Sequence, residues 1–175
     1  MKGFTVWFTG LPCSGKTTLA RRLEKALLEK GRVSSVLDGD EVRERICKGL
    51  GFSKEGRDEN IRRISFVARE VTKTGGAAIA CAISPYKALR AAARAEIGNF
   101  IEVFADCPVK VCATRDVKGM YKKAFAGEIK NFTGVDDPYE APENPEVRVR
   151  TDQESEEACV EKILAKLRAL GYLSA

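Results

Sequence analysis

Eight consecutive residues, Gly10-Leu11-Pro12-Cys13-Ser14-Gly15-Lys16-Thr17, fit the pattern G-x-x-x-x-G-K-[ST] at every fixed position. Each residue type in that pattern has a physical task. The glycines let backbone N–H groups turn toward phosphate oxygens, and the positive end of a following helix adds to the same field. Lys16 reaches the β- and γ-phosphates of a nucleotide, and the Thr17 hydroxyl is placed to ligate Mg²⁺. Thr18 follows and is counted with the nucleotide site. An apolar run, Phe4 to Phe8, precedes the loop and a helical pattern follows it, which is the context the motif needs. A glycine-rich turn that binds nothing would not require strand, glycines, lysine and threonine in one register.

Such a loop fixes nucleotide binding and leaves the reaction open. A guanine-reading N-K-x-D sequence does not occur. Ile101 to Asp106 has the form of an apolar strand ending in an acid, as motor-type ATPases require, but Asp106 reads better as a cap on a helix starting near Pro108. The stronger acid candidate is Asp38-Gly39-Asp40, at the end of the strand expected at Val33 to Leu37. In a parallel sheet the carboxyl ends of adjacent strands share a crevice with the phosphate loop. One of the two carboxylates could then accept a hydroxyl proton while the other holds Mg²⁺ through water. Taken alone, D-G-D also makes an ordinary turn. The chain contains no histidine, so any general base must be a carboxylate, Lys, Cys or Tyr, and this favours the catalytic reading.

The elements that must position these groups alternate β-branched apolar runs with amphipathic stretches, the pattern of a parallel sheet wrapped by helices. Strands are expected at Phe4 to Phe8, Val33 to Leu37, Ala77 to Ile83, Phe100 to Ala105 and Val147 to Val149. Helices are expected at about 16–30, where Leu19, Leu23, Ala26 and Leu27 share a face, at Asn60 to Lys73, at about 87–98, at Val109 to Thr114 and at Ser155 to Leu170. Residues about 116–146 break the rhythm, with many Gly, Lys, Pro and acidic residues; a stretch of that length is usually functional or disordered. The fold class expected is a three-layer α/β domain over 1–175, with about five parallel strands and a lid at about 116–146.

At 175 residues the chain can bury a core as one domain, and 44% hydrophobic with 31% charged residues is ordinary for a globular protein. The net charge of +5 comes without a long block of Lys/Arg and with 7% aromatic residues, so nucleic-acid binding is not expected. No apolar run approaches the roughly 20 residues that span a bilayer, and Met1-Lys2-Gly3 opens no signal peptide. A cytoplasmic home is the expectation. The six cysteines are scattered without a C-x-x-C pair, so reduced thiols are expected rather than disulfides or a zinc site.

Taken together, the phosphate loop, Asp38-Gly39-Asp40-Glu41-Val42-Arg43, Gly51-Phe52-Ser53, Glu59-Asn60-Ile61-Arg62-Arg63, Ile83-Ser84-Pro85-Tyr86, Arg115-Asp116-Val117-Lys118-Gly119, Gly127 to Gly134 and Asp137-Pro138-Tyr139-Glu140 resemble the adenylylsulfate (APS) kinase family over essentially the whole chain. The resemblance implies transfer of the ATP γ-phosphate to the ribose 3′-hydroxyl of APS, usually by a homodimer. It implies Asp40 as the base or Mg²⁺-organising carboxylate, Arg43 on the phosphosulfate and Phe52 stacked on the APS adenine. Arg57 and Asn60 would hold the substrate anion and its ribose or base. Ile83 and Ser84 would line the same pocket, with Ser84 a substrate contact ahead of any phosphoserine role. Arg115 would join the nucleotide site, and Lys118, Asn131 and Phe132 would come from the closing lid. The bland readings are a core plug for Phe52, a solvated face for Arg57, Arg62 and Arg63, and lid solubility for Lys118, Lys122 and Lys123. The family commonly has an acid where this chain has Gly56, and Asp58 or Glu55 are the candidate substitutes. Adenylate- or gluconate-type kinases are the alternative enzymes, and a nucleotide switch is the alternative class.

Overall fold

The computed structural model describes residues 2–51 and 53–174. Phe52 lies outside the described residues, so its expected stacking role is not addressed by the fold. Five strands form one parallel sheet in the order β2-β3-β1-β4-β5: β1 (Phe4–Thr9), β2 (Ser34–Asp38), β3 (Ala77–Cys81), β4 (Phe100–Asp106) and β5 (Val147–Arg150). The central strand β1 is buried along its whole length. Because side chains alternate along a strand, its residues divide between two cores. Phe4, Val6 and Phe8 meet Leu19, Leu23 and Leu27 of α1 (Lys16–Glu29) and Val160, Ile163 and Leu167 of α7 (Glu156–Ala169). Trp7 faces the other way, toward Ile61, Ile64 and Ala68 of α3 (Lys54–Lys73) and Ala93 and Ile97 of α4 (Lys87–Ile97). Helices thus cover both faces, the three-layer α/β arrangement that alternating strands and helices imply.

The structure corrects the expected elements where polar residues dominate. Residues 39–45 are a helix, α2 (Gly39–Arg45), and not a simple turn. Asp38 is its N-cap, its Oδ1 accepting from the Asp40 N–H at 3.0 Å. Helix α3 begins at Lys54, not Asn60, because Ser53 caps it by accepting from Gly56 N. Its first turn carries no apolar stripe, so periodicity could not locate it. The 116–146 stretch contains a further helix, α6 (Met120–Phe125), after α5 (Val109–Arg115). Asp116 accepts there from the N–H groups of Tyr121 and Lys122 at 2.9 and 3.0 Å. Strand β3 stops at Cys81 rather than Ile83, because Ser84 takes a left-handed φ of 40°. Asp106 does not cap α5, whose N-cap is Pro108; it accepts from Arg148 on neighbouring β5 at 2.6 and 2.9 Å.

A third apolar cluster lies beyond the carboxyl ends of β1 and β4, where Leu11, Cys107, Cys112, Tyr121, Ala124 and Phe132 pack together and join α6 to the phosphate loop. All six cysteines are free thiols. Among the described residues, no helix is long and apolar enough to cross a membrane.

Candidate active site

The loop between β1 and α1 gets its shape from backbone constraints. Gly10 sits at φ 152°, and a Cβ there would lie 2.5 Å from the carbonyl oxygen of Ala105, so only glycine lets β1 and β4 hold the loop this closely. Cys13 adopts φ 60°, which turns the chain inward ahead of the start of α1. The outside of the loop is braced from distant sequence. Thr151 Oγ1 donates to Ser14 O at 2.9 Å, Arg115 donates to Cys13 O at 3.3 Å and to Thr151 O at 2.6 Å, and Tyr121 donates to Pro12 O at 3.1 Å. Arg115 was expected on the nucleotide; Thr151 and Tyr121 were not. Thr151 follows a short edge strand with no motif of its own, so nothing in the sequence marks it.

Lys16 is buried beneath the loop. Its Nζ donates to the carbonyl oxygens of Gly10 and Leu11 at 2.9 and 2.7 Å. Burial disfavours the ammonium and lowers its pKa from 10.5 to about 8. Thr17 and Thr18 are exposed on the first turn of α1, and the Thr17 hydroxyl donates to Asp38 Oδ2 at 2.7 Å. Asp38 therefore joins three parts at once: the loop's threonine, the end of β2 and the start of α2. Asp40 is exposed and accepts from Lys118 of the 116–146 segment. That hydrogen bond is the largest cause of the raised Lys118 pKa, and the negative charges of Asp40 and Asp38 add to it.

Thr17 and the two aspartates supply hard oxygen donors of the kind Mg²⁺ takes beside phosphates and water. Among the described residues, no cluster of three or more His, Cys, Asp or Glu could hold a metal. That donor set fits an ion delivered with a polyphosphate.

The second half of the site lies on α2 and α3. Arg43 donates to the carbonyl oxygens of Leu50 and Gly51 at 3.1 and 3.0 Å. Its pKa is lowered by burial first and by the positive charge of Arg57 as well. Arg57 is not on a solvated face: its side chain is 14% exposed and it donates to Thr133 Oγ1 at 3.0 Å, to Asp137 Oδ2 at 2.6 Å and to Asn131 O. Neither expected substitute acid reaches it, since Asp58 pairs with Lys54 and the first turn of α3 holds Glu55. Asn60 is buried, and its Oδ1 has no hydrogen-bond partner among the described residues.

The remaining candidates sit away from open space. Ser84 is 1% exposed and its Oγ accepts from the Trp7 indole N–H at 3.1 Å, which sets the hydroxyl among buried groups. Ile83 contributes its carbonyl, which accepts from Thr9 Oγ1 at 2.7 Å. The Ser84 carbonyl is held by buried Arg90, which also pairs with Glu102 at 2.9 Å and reaches Glu140 O. Removing either partner of such a buried pair typically costs about 3–5 kcal/mol. Phe132 packs edge-on against Tyr121 in the third cluster, with centroids 5.0 Å apart, and serves the packing of the segment.

Known proteins bear on this arrangement. Residues 2–150 match the family model described as adenylylsulphate kinase. The adenylyl-sulfate kinase of Rippkaea orientalis is 57% identical over 173 residues, covering 99% of this chain and 96% of that protein. A probable bifunctional SAT/APS kinase of Sorangium cellulosum is 59% identical over 99% of this chain, which spans 30% of that longer protein. The structure of Mycobacterium tuberculosis APS kinase CysC in complex with AMPPNP and APS superposes with a TM-score of 0.91 at 44% identity, covering 95% of this chain and 98% of that one.

Proposed function

The chain belongs to the adenylylsulphate kinase family, and from that premise we infer that it transfers the ATP γ-phosphate to the ribose 3′-hydroxyl of APS, giving ADP and 3′-phosphoadenylyl sulfate in sulfate activation. The observation that carries this reading is the meeting, at the mouth of the phosphate loop, of the Thr17–Asp38 and Asp40–Lys118 pairs.

The contacts support the following division of labour. Backbone N–H groups of the loop, save at Pro12, which has none, and Ser14, which donates to Leu11 O, hold the β- and γ-phosphates with Lys16, and Arg115 supports the nucleotide side. Thr17, with Asp38 or Asp40, presents oxygens to Mg²⁺, which when bound draws charge off the phosphates. Asp40 accepts the 3′-hydroxyl proton as the O3′–Pγ bond forms and the bond from Pγ to the β-phosphate oxygen breaks. Lys118 holds that carboxylate in place and adds positive charge near the transferring group. Arg43 and Arg57, whose positive charges act on one another, suit the phosphosulfate, and the orphaned Asn60 Oδ1 suits an N–H of the adenine. Lys118 and Asn131 bring the 116–146 segment over the site, where excluding water protects the activated phosphate from hydrolysis. Direct in-line transfer needs no covalent relay through Ser84.

We take residues 1–175 as one catalytic domain, acting in the cytoplasm as a homodimer. The test is to incubate the protein with ATP, Mg²⁺ and either APS, AMP or gluconate. ADP release is expected with APS alone, and its absence with APS would sink the assignment.

A further inference from the structure

The loop of residues 131–137 is tied to α3 through a single side chain. Arg57 has five N–H groups. Three of them are taken by Thr133 Oγ1, Asp137 Oδ2 and Asn131 O, all from this loop. Among the described residues, the Nε–H and one Nη2–H have no partner and remain for a ligand. The loop is shaped to present these acceptors: Asp136 accepts from the N–H groups of Asn131 and Phe132, Asn131 sits at φ 56°, and Thr133 bridges Asp137. Tyr86 donates to the same Asp137 oxygen at 3.3 Å.

No acid of α3 performs this task. Asp58 pairs with Lys54, and Glu59 pairs with Arg62 and Arg63. Position 56, next to the arginine, is closed to any side chain, because a Cβ there would lie 2.4 Å from the carbonyl oxygen of Gly51. That carbonyl also accepts from Arg43 and cannot retreat without loosening it. The Arg57–Asp137 pair is withdrawn from water, with side chains 14% and 18% exposed, so its charge-assisted bond is stronger than a surface pair.

We propose that Asp137 is the positioning residue for Arg57, supplied by the 131–137 loop instead of helix α3, so that aiming Arg57 at the substrate anion and seating the loop are one event. The proposal rests on the reading above that Arg57 faces the phosphosulfate. A guanidinium fixed on one edge presents its remaining N–H groups in a set direction, and a bound anion in turn favours the seated loop.

The test uses the full chain and dissociation constants for APS (with and without saturating ADP) and for ATP, each measured calorimetrically so that no turnover is needed. Asp137→Ala is expected to weaken APS binding about tenfold to a hundredfold, the scale of one charged hydrogen bond, while ATP binding changes less than about twofold. Arg57→Ala should weaken APS similarly, and the double variant should be no worse than Arg57→Ala alone within about twofold. If Asp137→Ala does not fold, Thr133→Val removes one acceptor and keeps the ion pair; a smaller loss confined to APS is expected. Additive losses in the double variant, unchanged APS binding, or equal losses for both ligands would overturn the proposal. A wild-type protein that does not bind APS would instead overturn the functional reading.

Discussion

The two halves of the site are held by different means. On the phosphate side, residues 10–17 are fixed by glycine geometry, by Lys16 hydrogen bonds to Gly10 and Leu11, and by Thr151, Arg115 and Tyr121 braced against loop carbonyls. On the acceptor side, Asp40 and Arg57 are held by side chains from the 116–146 segment, Lys118, Thr133 and Asp137. The cradle takes its shape first from its own glycines and Lys16, and Thr151, Arg115 and Tyr121 (the last from the 116–146 segment) brace only its outer carbonyls. Side-chain pairs form only when the segment is in place, so the acceptor half can open and close around a preorganised phosphate half.

The comparison predicts that variants and conditions separate by half. The largest expected effect is on chemistry. Asp40→Ala should lower kcat by about 10² to 10⁴, the usual contribution of a general base, and leave the KM for ATP within about threefold. Near-normal turnover by this variant would remove Asp40 as the base, and a large rise in ATP KM would break the separation of the halves.

A smaller effect sharpens the phosphate half. Burial lowers the Lys16 pKa to about 8. ATP binds the ammonium form, so its affinity should be near full below that pH and fall as pH rises through it, by about tenfold between pH 7 and pH 9. Proton uptake on ATP binding should accompany the fall, because the polyphosphate draws the lysine back to its charged form. Calorimetry in buffers of different ionisation enthalpy measures both. Lys16→Ala should flatten the profile, and a flat wild-type profile would refute the assignment.

The same division explains what the sequence could disclose. The phosphate loop is one contiguous motif, so its spacing alone singles out Lys16 and Thr17 as candidates, and the fold sets both at the start of α1. The central strand β1 is mostly apolar and the helices packed on it carry an apolar stripe at helical spacing, so these elements were legible in the sequence. The acceptor half is spread over four separated stretches of mostly polar residues. Helix α2 was hidden because D-G-D reads equally as a turn, and the start of α3 because its first turn has no apolar face. Asp137 could not be identified as the partner of Arg57, since the pairing spans eighty positions and depends on the fold of residues 131–137. The packing of Phe132 was illegible for a related reason: its edge-on contact with Tyr121 joins it to the segment's own apolar cluster, which no local motif announces.

The most direct test of the account follows the phosphate itself. The protein is mixed with ATP labelled at the γ-phosphate, Mg²⁺ and APS, and quenched during the first turnover, and the label is then traced in nucleotide and in protein. Direct transfer predicts label at the 3′ position of the APS-derived product and none on Ser84 or any other residue. Label on the protein that chases into product, or no APS-dependent transfer of label, would contradict it.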